Sequence, residues 1–486
     1  MFLFIETAFS MIFGYIFWVI LSRFATPEIV GTSSTVISLS TIFITVVAMG
    51  IPNGLQRFLG KSFSERKLEN AKVLTNASLL LTTIGIVICC VLILLGNNWF
   101  DETFRIDFKL LIVVILLIGT YSITNLFRFV VIASLNTKKL PVIMIASSIV
   151  KQVVAVLLVM IGTGALGATI GYAFFPILSS LFLSILVLTI FKSAKGKPEV
   201  VFKRSLKDIL VASVVSWIPT IIYTVGLHLG QIMVFRTHGA NQAGVYFIAF
   251  SIAGAISAVM LVLLTITYPA LSAMHDGRKR LAWRVTKISL IIAMPLASAI
   301  IFSSKEIMQL FGKSYIDGSF SLEILLLSMV PTAVMTGVNT LVYSYGNYRQ
   351  VLVIGLSSNI PRAALYFILV PIYGGVGAAI SFTAGSISGF ILSIIIAKQI
   401  GMKIFWKDLA LILLIPMGFA FILSHFEINY IAVIAITLIT SYMLFLRVGI
   451  VTRIDVQDSL GVLPSKIANP AIKLLNAIGN KLNRSY

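Results

Sequence analysis

Fourteen apolar runs, most of them about twenty residues long, follow one another along the chain, and this feature dictates most of what it can fold into. Inside a bilayer nothing hydrogen-bonds to exposed backbone, so each run must satisfy its own N–H and C=O groups as a helix. Hydropathy and helix breakers place the runs at 3–24, 32–52, 73–96, 108–134, 141–162, 165–191, 209–235, 243–268, 286–303, 322–345, 350–372, 375–398, 408–424 and 428–446. The expected fold class is an all-α polytopic membrane protein with 14 transmembrane helices. Of 486 residues, 58% are hydrophobic and 11% charged, against about 25% charged in an ordinary soluble domain. A water-soluble globule is excluded. The first run holds Glu6 and lacks a basic flank or small-residue cleavage site, so it reads as a span, not a removable leader.

The net charge is +20, from 37 Lys and Arg against 17 Asp and Glu. Placement decides what that charge means: with Arg23, Lys109, Lys287 and Lys398 at span ends counted in the connections they adjoin, the even-numbered connections and the tail hold 28 of the 37, the odd-numbered connections only 6. Basic connections stay on the cytoplasmic side, so both termini are expected there, in a cell (plasma or inner) membrane. The same asymmetry explains the basic balance without nucleic acid as a partner. From about Val448 the tail alternates apolar and basic residues (Lys466, Ile467, Ile472, Lys473), as a segment lying on the inner membrane surface would. Cys89 and Cys90 lie within an apolar run as lipid-facing or core residues, His228, His238, His275 and His425 are scattered, and no phosphate loop or nucleophile constellation occurs. No cofactor, metal or enzymatic role is expected.

A duplication organises the spans. Arg23 and Gly31 recur with the same spacing as Arg236 and Gly244, 213 residues later; Gly164, Gly167 and Ala168 recur as Gly374, Gly377 and Ala378 at an offset of 210. Pro52 and Pro269, 217 residues apart, are expected to close the second and eighth spans. Two homologous six-helix lobes follow, 1–208 and 209–400, with an extra helix pair at 401–448 and a basic amphipathic tail at 449–486. Six is even, so the second lobe enters the membrane from the same side as the first. The repeat is therefore parallel, a recurring plan of alternating-access transporters.

A charge near the bilayer centre costs about 2.5–3.5 kcal/mol even on lenient scales, yet Lys151, Arg362 and Arg128 lie within spans. Lys151 is 12 residues beyond Lys139 and Arg362 is 13 beyond Arg349, about 18–20 Å deep at 1.5 Å per residue. The 210-residue offset sets Arg362 against Gln152, next to Lys151. Ser147, Ser148, Lys151 and Gln152 share one helical side, as do Ser358, Asn359 and Arg362, and Tyr121, Asn125 and Arg128. These stripes predict a wet, basic, substrate-binding cavity between the lobes, with Lys151, Arg362, Arg128, Asn125, Gln152 and Asn359 taking an anion; a buried structural network is the alternative. Arg57, just past Pro52 and Asn53 at a broken helix end, is a further candidate. Arg23 and Arg236 lie near outer helix ends, as gate or rim residues or as cations snorkelling to headgroups. Glu6, the one acid well inside a span, is a candidate for proton or sodium coupling or a partner for a lobe cation.

The segments RFATPEIVG (Arg23 to Gly31), MGIPNGLQRFL (Met49 to Leu59), GALGATIG (Gly164 to Gly171), GVYF (Gly244 to Phe247), LFGKSY (Leu310 to Tyr315) and GGVGAA (Gly374 to Ala379) occur in this order. In that order they resemble the oligosaccharide flippases, Wzx-like polysaccharide exporters of the superfamily that also holds multidrug exporters and the peptidoglycan-precursor flippase. The resemblance implies a V-shaped pair of six-helix lobes that carries a polyprenyl-(di)phosphate-linked oligosaccharide from the inner to the outer leaflet. It implies that basic residues hold phosphate and acidic sugars, which by position touches Arg57 and more loosely Lys151 and Arg362. Membrane lipids and glycan-assembly enzymes are the partners it suggests. One departure stands out: many relatives have an Asp late in the seventh span, where this chain reads Gly230-Gln231. A cation-coupled multidrug exporter of the same fold and a non-transporting scaffold for glycan assembly are the other readings.

Overall fold

The computed structural model describes residues 2–194, 196–426 and 428–450; these are helical almost throughout, and no strand occurs among them. The helices are α1 (Phe2–Phe24), α2 (Pro27–Ala48), α3 (Ile51–Ser64), α4 (Leu68–Leu95), α5 (Asn97–Phe104), α6 (Phe108–Ala133), α7 (Leu140–Met160) and α8 (Gly164–Phe191). They continue as α9 (Phe202–Ala273), α10 (Arg278–Phe302), α11 (Ser304–Gln309), α12 (Ser319–Leu327), α13 (Met329–Ser344), α14 (Tyr348–Gln399), α15 (Trp406–Ser424) and α16 (Tyr430–Arg447). The tail expected at 449–486 lies outside the described residues beyond residue 450.

Eleven helices among the described residues are long and apolar enough to cross a membrane, against fourteen expected spans. Much of the difference is two merged pairs. Unbroken, the 72 residues of α9 would run about 108 Å, more than three times the hydrocarbon thickness of about 30 Å. Instead α9 breaks at Gly239 (φ 82°) and α14 at Gly374 (φ 54°), positive-φ conformations that glycine alone adopts at no steric cost. The two breaks fall in the turns expected between the seventh and eighth and between the eleventh and twelfth spans. Over the first span, α1 is a single helix of 23 residues.

Pro52 opens a helix where it was expected to close one. α2 ends at Ala48, Met49 and Gly50 turn left-handed (φ 44° and 71°), and Pro52 occupies the first turn of α3. An N-terminal position suits proline, whose missing N–H would have had no intrahelical acceptor there. Outside the spans, α5 was not anticipated; Trp99, Phe100 and Phe104 stack along it. Asp107 caps α6 by accepting from the Leu110 N–H at 3.0 Å. Asp107→Ala is expected to lower stability by about 1 kcal/mol, read as a lower melting temperature of the purified protein in lipid nanodiscs.

The described chain forms two compact units. One runs through Ile248 and takes in Phe311–Gly318 and Ala363–Ala378; the other comprises Ala249–Leu310, Ser319–Arg362 and the chain from Ala379. In the first, Ile51, Leu55, Leu74, Leu126, Val130, Met144 and Leu183 join α3, α4, α6, α7 and α8 in one core. The first part of α9 belongs to this unit and meets α2 along a polar ladder. Trp217 Nε1 donates to the Thr45 carbonyl (2.9 Å), Thr45 meets Thr224 (3.4 Å), His228 meets Ser38 (3.1 Å), and the Gln231 amide donates to Ser34 (2.8 Å). Between helices in a membrane each such bond is worth about 0.6 kcal/mol, so the ladder sets register more than strength.

In the second unit α10 is the centre, with 72% of its most apolar stretch buried. Trp283, Leu290, Met294 and Ala297 of α10 lie in its core with Leu322 and Leu326 of α12 and Val334 and Val338 of α13. The helix pair α15–α16 packs on α10, where Lys287 reaches Asp408 at 3.9 Å. By contrast only 22% of the most apolar stretch of α4 is buried, and the helix bares Leu80, Ile84, Val87, Ile88, Val91 and Leu95 at three- and four-residue spacing, a stripe suited to lipid. On the same helix Cys89 is buried and Cys90 partly so, both as free thiols. The connection after α8 is pinned to the start of α4: the Glu199 and Gly196 N–H groups donate to Asn70 and Glu69, and Lys67 contacts Glu199 at 2.6 Å. That hydrogen bond and the attraction behind it push the Lys67 ammonium up and the Glu199 carboxyl down in pKa.

Candidate functional site

The two cations expected at mid-depth are both buried, and both lie against aromatic rings. Lys151 of α7 is 5% exposed. Its Nζ lies 4.8 Å from the ring centre of Phe17 (α1) and 5.0 and 5.6 Å from those of Tyr172 and Phe175 (α8). Among the described residues no carboxylate comes within ion-pair distance of it. In the other unit Arg362 of α14 is 3% exposed, with its Cζ 4.1 Å from the Phe382 ring centre. It donates to Asn359 Oδ1 (3.2 Å), Ser358 Oγ (3.4 Å) and Ser386 Oγ (3.0 Å), all neutral. A desolvated cation over an aromatic face gains about 2 kcal/mol or more. A ring carries no net charge, so at Lys151 it steadies the cation and leaves its field unneutralised.

The ring partners obey the duplication: Tyr172 and Phe382 are 210 residues apart, the offset that relates Gly164 to Gly374. Both repeats thus set a cation of the fifth-span helix against an aromatic residue of the sixth. Applying that offset to aromatic residues as well as to glycines would have found the pair in the sequence.

Two of the three stripes expected to border water are largely buried, while Tyr121, Asn125 and Arg128 of the third are partly exposed. Ser147 (1%), Ser148 (3%), Ser358 (2%) and Asn359 (5%) are enclosed, and Ser148 spends its hydroxyl proton on the Met144 carbonyl. Gln152 reaches α1, donating to the Phe13 carbonyl at 3.1 Å, and Asn359 donates to the Gly355 carbonyl at 2.8 Å. The covering groups come from residues distant in sequence, rings on the α7 side and small residues over Arg362, where a side chain at Gly385 would meet Arg362 Cβ and the Ser358 carbonyl.

Arg128 and Glu6 form a bidentate ion pair: Nε to Oε1 at 3.1 Å and the terminal nitrogen to Oε2 at 2.7 Å. The Glu6 side chain is 4% exposed and that of Arg128 27%. Of the two roles weighed for Glu6, partner of a lobe cation is the one this geometry displays. Breaking a buried pair from one side costs about 3–5 kcal/mol, and the more enclosed partner suffers more. Arg128→Ala is therefore expected to destabilise more than Glu6→Ala, with the double variant closer to wild type than Arg128→Ala; a double-mutant cycle of melting measurements checks the order.

Asn125 of α6 borders a cavity of about 320 Å³ with Tyr121 and Tyr172. Arg23 and Arg236 are exposed, Arg23 in the last turn of α1. The Arg57 side chain lies outside the described residues. Gln231, where an Asp was expected from the resemblance, donates its amide to Ser34, to Thr35 (3.2 Å) and to the Ala243 carbonyl (3.2 Å). Sequence reasoning passed over its α2 partners, although a helix that reads TSSTVISLST announces a hydroxyl face.

Comparison with known proteins places this architecture. No curated protein matches the chain in sequence. Among solved structures it is similar to the lipid II flippase MurJ in an inward closed conformation (TM-score 0.64, 17% identity, covering 93% of this chain and 100% of that one). It is similar to a multidrug resistance MATE family transporter of the MOP superfamily in an inward-facing conformation (TM-score 0.62, 16% identity, 80% and 94% covered). A MOP superfamily transporter from Pyrococcus furiosus, described by the reverse polarity of its binding pocket, also shares the fold (TM-score 0.51, 13% identity, 84% and 94% covered). At these identities the likeness is one of fold alone, that of a multi-pass membrane protein. The family described as polysaccharide biosynthesis protein matches residues 1–275, more than half of the 486, and the chain belongs to that family.

Proposed function

We propose that the protein is a flippase that carries a polyprenyl-(di)phosphate-linked oligosaccharide from the cytoplasmic to the outer leaflet. It does so by alternating access of its two repeats, in the cell membrane, with both termini cytoplasmic. Lys151 carries this reading: a buried ammonium with aromatic rings around it and, among the described residues, no carboxylate in ion-pair reach. A phosphate offers the charge-assisted hydrogen bonds that such a group lacks. Arg362, its counterpart in the second repeat, offers a planar fork suited to the same ligand. Membership of a polysaccharide biosynthesis family and a fold shared with a lipid II flippase support the reading. Enzymes that build the glycan on the inner face are then the natural partners upstream.

Reconstitution tests it. In proteoliposomes, a fluorescent polyprenyl-diphosphate oligosaccharide placed in one leaflet should reach the other at least tenfold faster than in protein-free vesicles, at about 1.4 kcal/mol per factor of ten. Transfer at the protein-free rate, with export of an organic cation by the same vesicles, would give the multidrug exporter the stronger claim.

A further inference from the structure

The cavity beside Asn125 lies wholly within the first unit, and its chemistry differs from that of the buried cations. Ser40, Thr41 and Thr45 of α2, Tyr121 and Asn125 of α6 and Tyr172 of α8 supply its polar lining, and none of its lining residues is charged. At about 320 Å³ it holds the equivalent of about ten water molecules at ~30 Å³ each. That is the scale of one sugar ring and the lower end of ligand pockets.

Apart from one contact between two phenols, its side-chain hydrogen-bonding groups are not spent on one another. Ser40, Thr41 and Thr45 give their protons to the Val36, Ile37 and Thr41 carbonyls (2.8, 2.7 and 2.9 Å), so each keeps lone pairs to accept with. The Asn125 amide makes no hydrogen bond among the described residues, which leaves two donors and an acceptor at the cavity. The Tyr121 and Tyr172 hydroxyls meet at 3.3 Å, a contact that occupies one phenolic proton and leaves the other. The two rings stand 6.2 Å apart, tilted by 32°.

This lining selects by elimination. A divalent cation is held chiefly through carboxylates, and the lining has none; an anion would face three hydroxyl oxygens whose protons point elsewhere. A neutral polyol fits: its hydroxyls donate to the α2 oxygens and accept from Asn125 and a phenol, while its C–H faces lie on tyrosine rings. We propose that this pocket seats one neutral pyranose ring of the transported glycan, so that the first repeat reads sugar here and charge at Lys151, whose ammonium lies over the same Tyr172 ring at 5.0 Å. That this ring belongs to a transported glycan rests on the flippase reading; the affinity for a pyranose does not.

Saturation-transfer difference NMR with methyl hexopyranosides at millimolar concentration tests the pocket, using the full chain in nanodiscs of phospholipid free of sugar headgroups. Ring-proton signals are expected for the wild type and lost in Asn125→Leu, where the loss of two hydrogen bonds of about 1 kcal/mol each weakens binding about thirtyfold. They should likewise be lost in Ser40→Leu, which fills the cavity from another helix. Unchanged melting temperatures show that both variants are folded, and Thr41→Val, which removes one acceptor with little change of volume, serves where either is not. Absence of signal from the wild type identifies a water-filled void and overturns the proposal, as do equal signals in wild type and folded variants. Glycoside binding without lipid transfer leaves the pocket standing and removes the flippase reading; lipid transfer without glycoside binding does the reverse.

Discussion

Replacing Lys151 and Arg362 together by methionine is expected to abolish transfer of a polyprenyl-diphosphate oligosaccharide while leaving the melting temperature unchanged or raised. Each cation is 5% exposed or less and lies over a ring. Taking such a charge out of water costs several kcal/mol, against a cation–π return of about 2 kcal/mol or more. An apolar side chain of similar length incurs no such cost, and at Arg362 this saving offsets the hydrogen bonds lost to Asn359, Ser358 and Ser386, so stability has little to lose. Transfer has much to lose: a hydrogen bond to a charged group contributes about 1.5–3 kcal/mol, so each single variant should bind headgroup phosphate roughly ten- to a hundredfold more weakly. The split between the two readouts separates a ligand site from a structural network. Undiminished transfer in the double variant removes these cations from the mechanism, and melting that falls in step with transfer returns them to a structural role.

That these cations lie twelve and thirteen residues past a basic residue at the start of their helices was legible because it needs only counting along the chain. The spans were legible for a related reason: hydropathy is a local property, and helix ends follow it to within a few residues along most of the chain. What covers the cations was not. A Ser-Ser-x-x-Lys face looks the same in sequence whether it meets water or aromatic rings brought from α1 and α8. Nor could the sequence assign Glu6 among three cations. It lies 122 residues from Arg128, and only the packing of α1 brings them together. Pro52 misled because a proline after an apolar run fits the end of one helix and the start of the next equally well; the left-handed Met49–Gly50 pair decides between them.

The repeat predicts its own most sensitive point. Gly31 of α2 and Gly244 of α9, equivalent by the 213-residue offset, pack against each other within the first unit. A Cβ added at Gly31 would overlap the Ala240 carbonyl and lie 2.6 Å from the Gly244 nitrogen; one added at Gly244 would overlap the Pro27 carbonyl and lie 3.0 Å from the Gly31 nitrogen. What each methyl would strike is helix backbone, which cannot swing aside as a side chain can. Small residues at such crossings let membrane helices approach closely and gain by packing. Gly31→Ala and Gly244→Ala are therefore expected to destabilise by similar amounts, at or above the 1–3 kcal/mol of ordinary overpacking. The double variant should cost less than their sum, since either change already parts the same two helices. Gly355 is the contrast: it too is inside a helix, but no atom lies within 4 Å of its added Cβ, so Gly355→Ala should gain up to about 1 kcal/mol from helix propensity alone. Melting temperatures of the four variants in nanodiscs check the order. Free tolerance of alanine at both positions, or a large effect at only one, would mean that this crossing is not the reciprocal contact that the duplication requires.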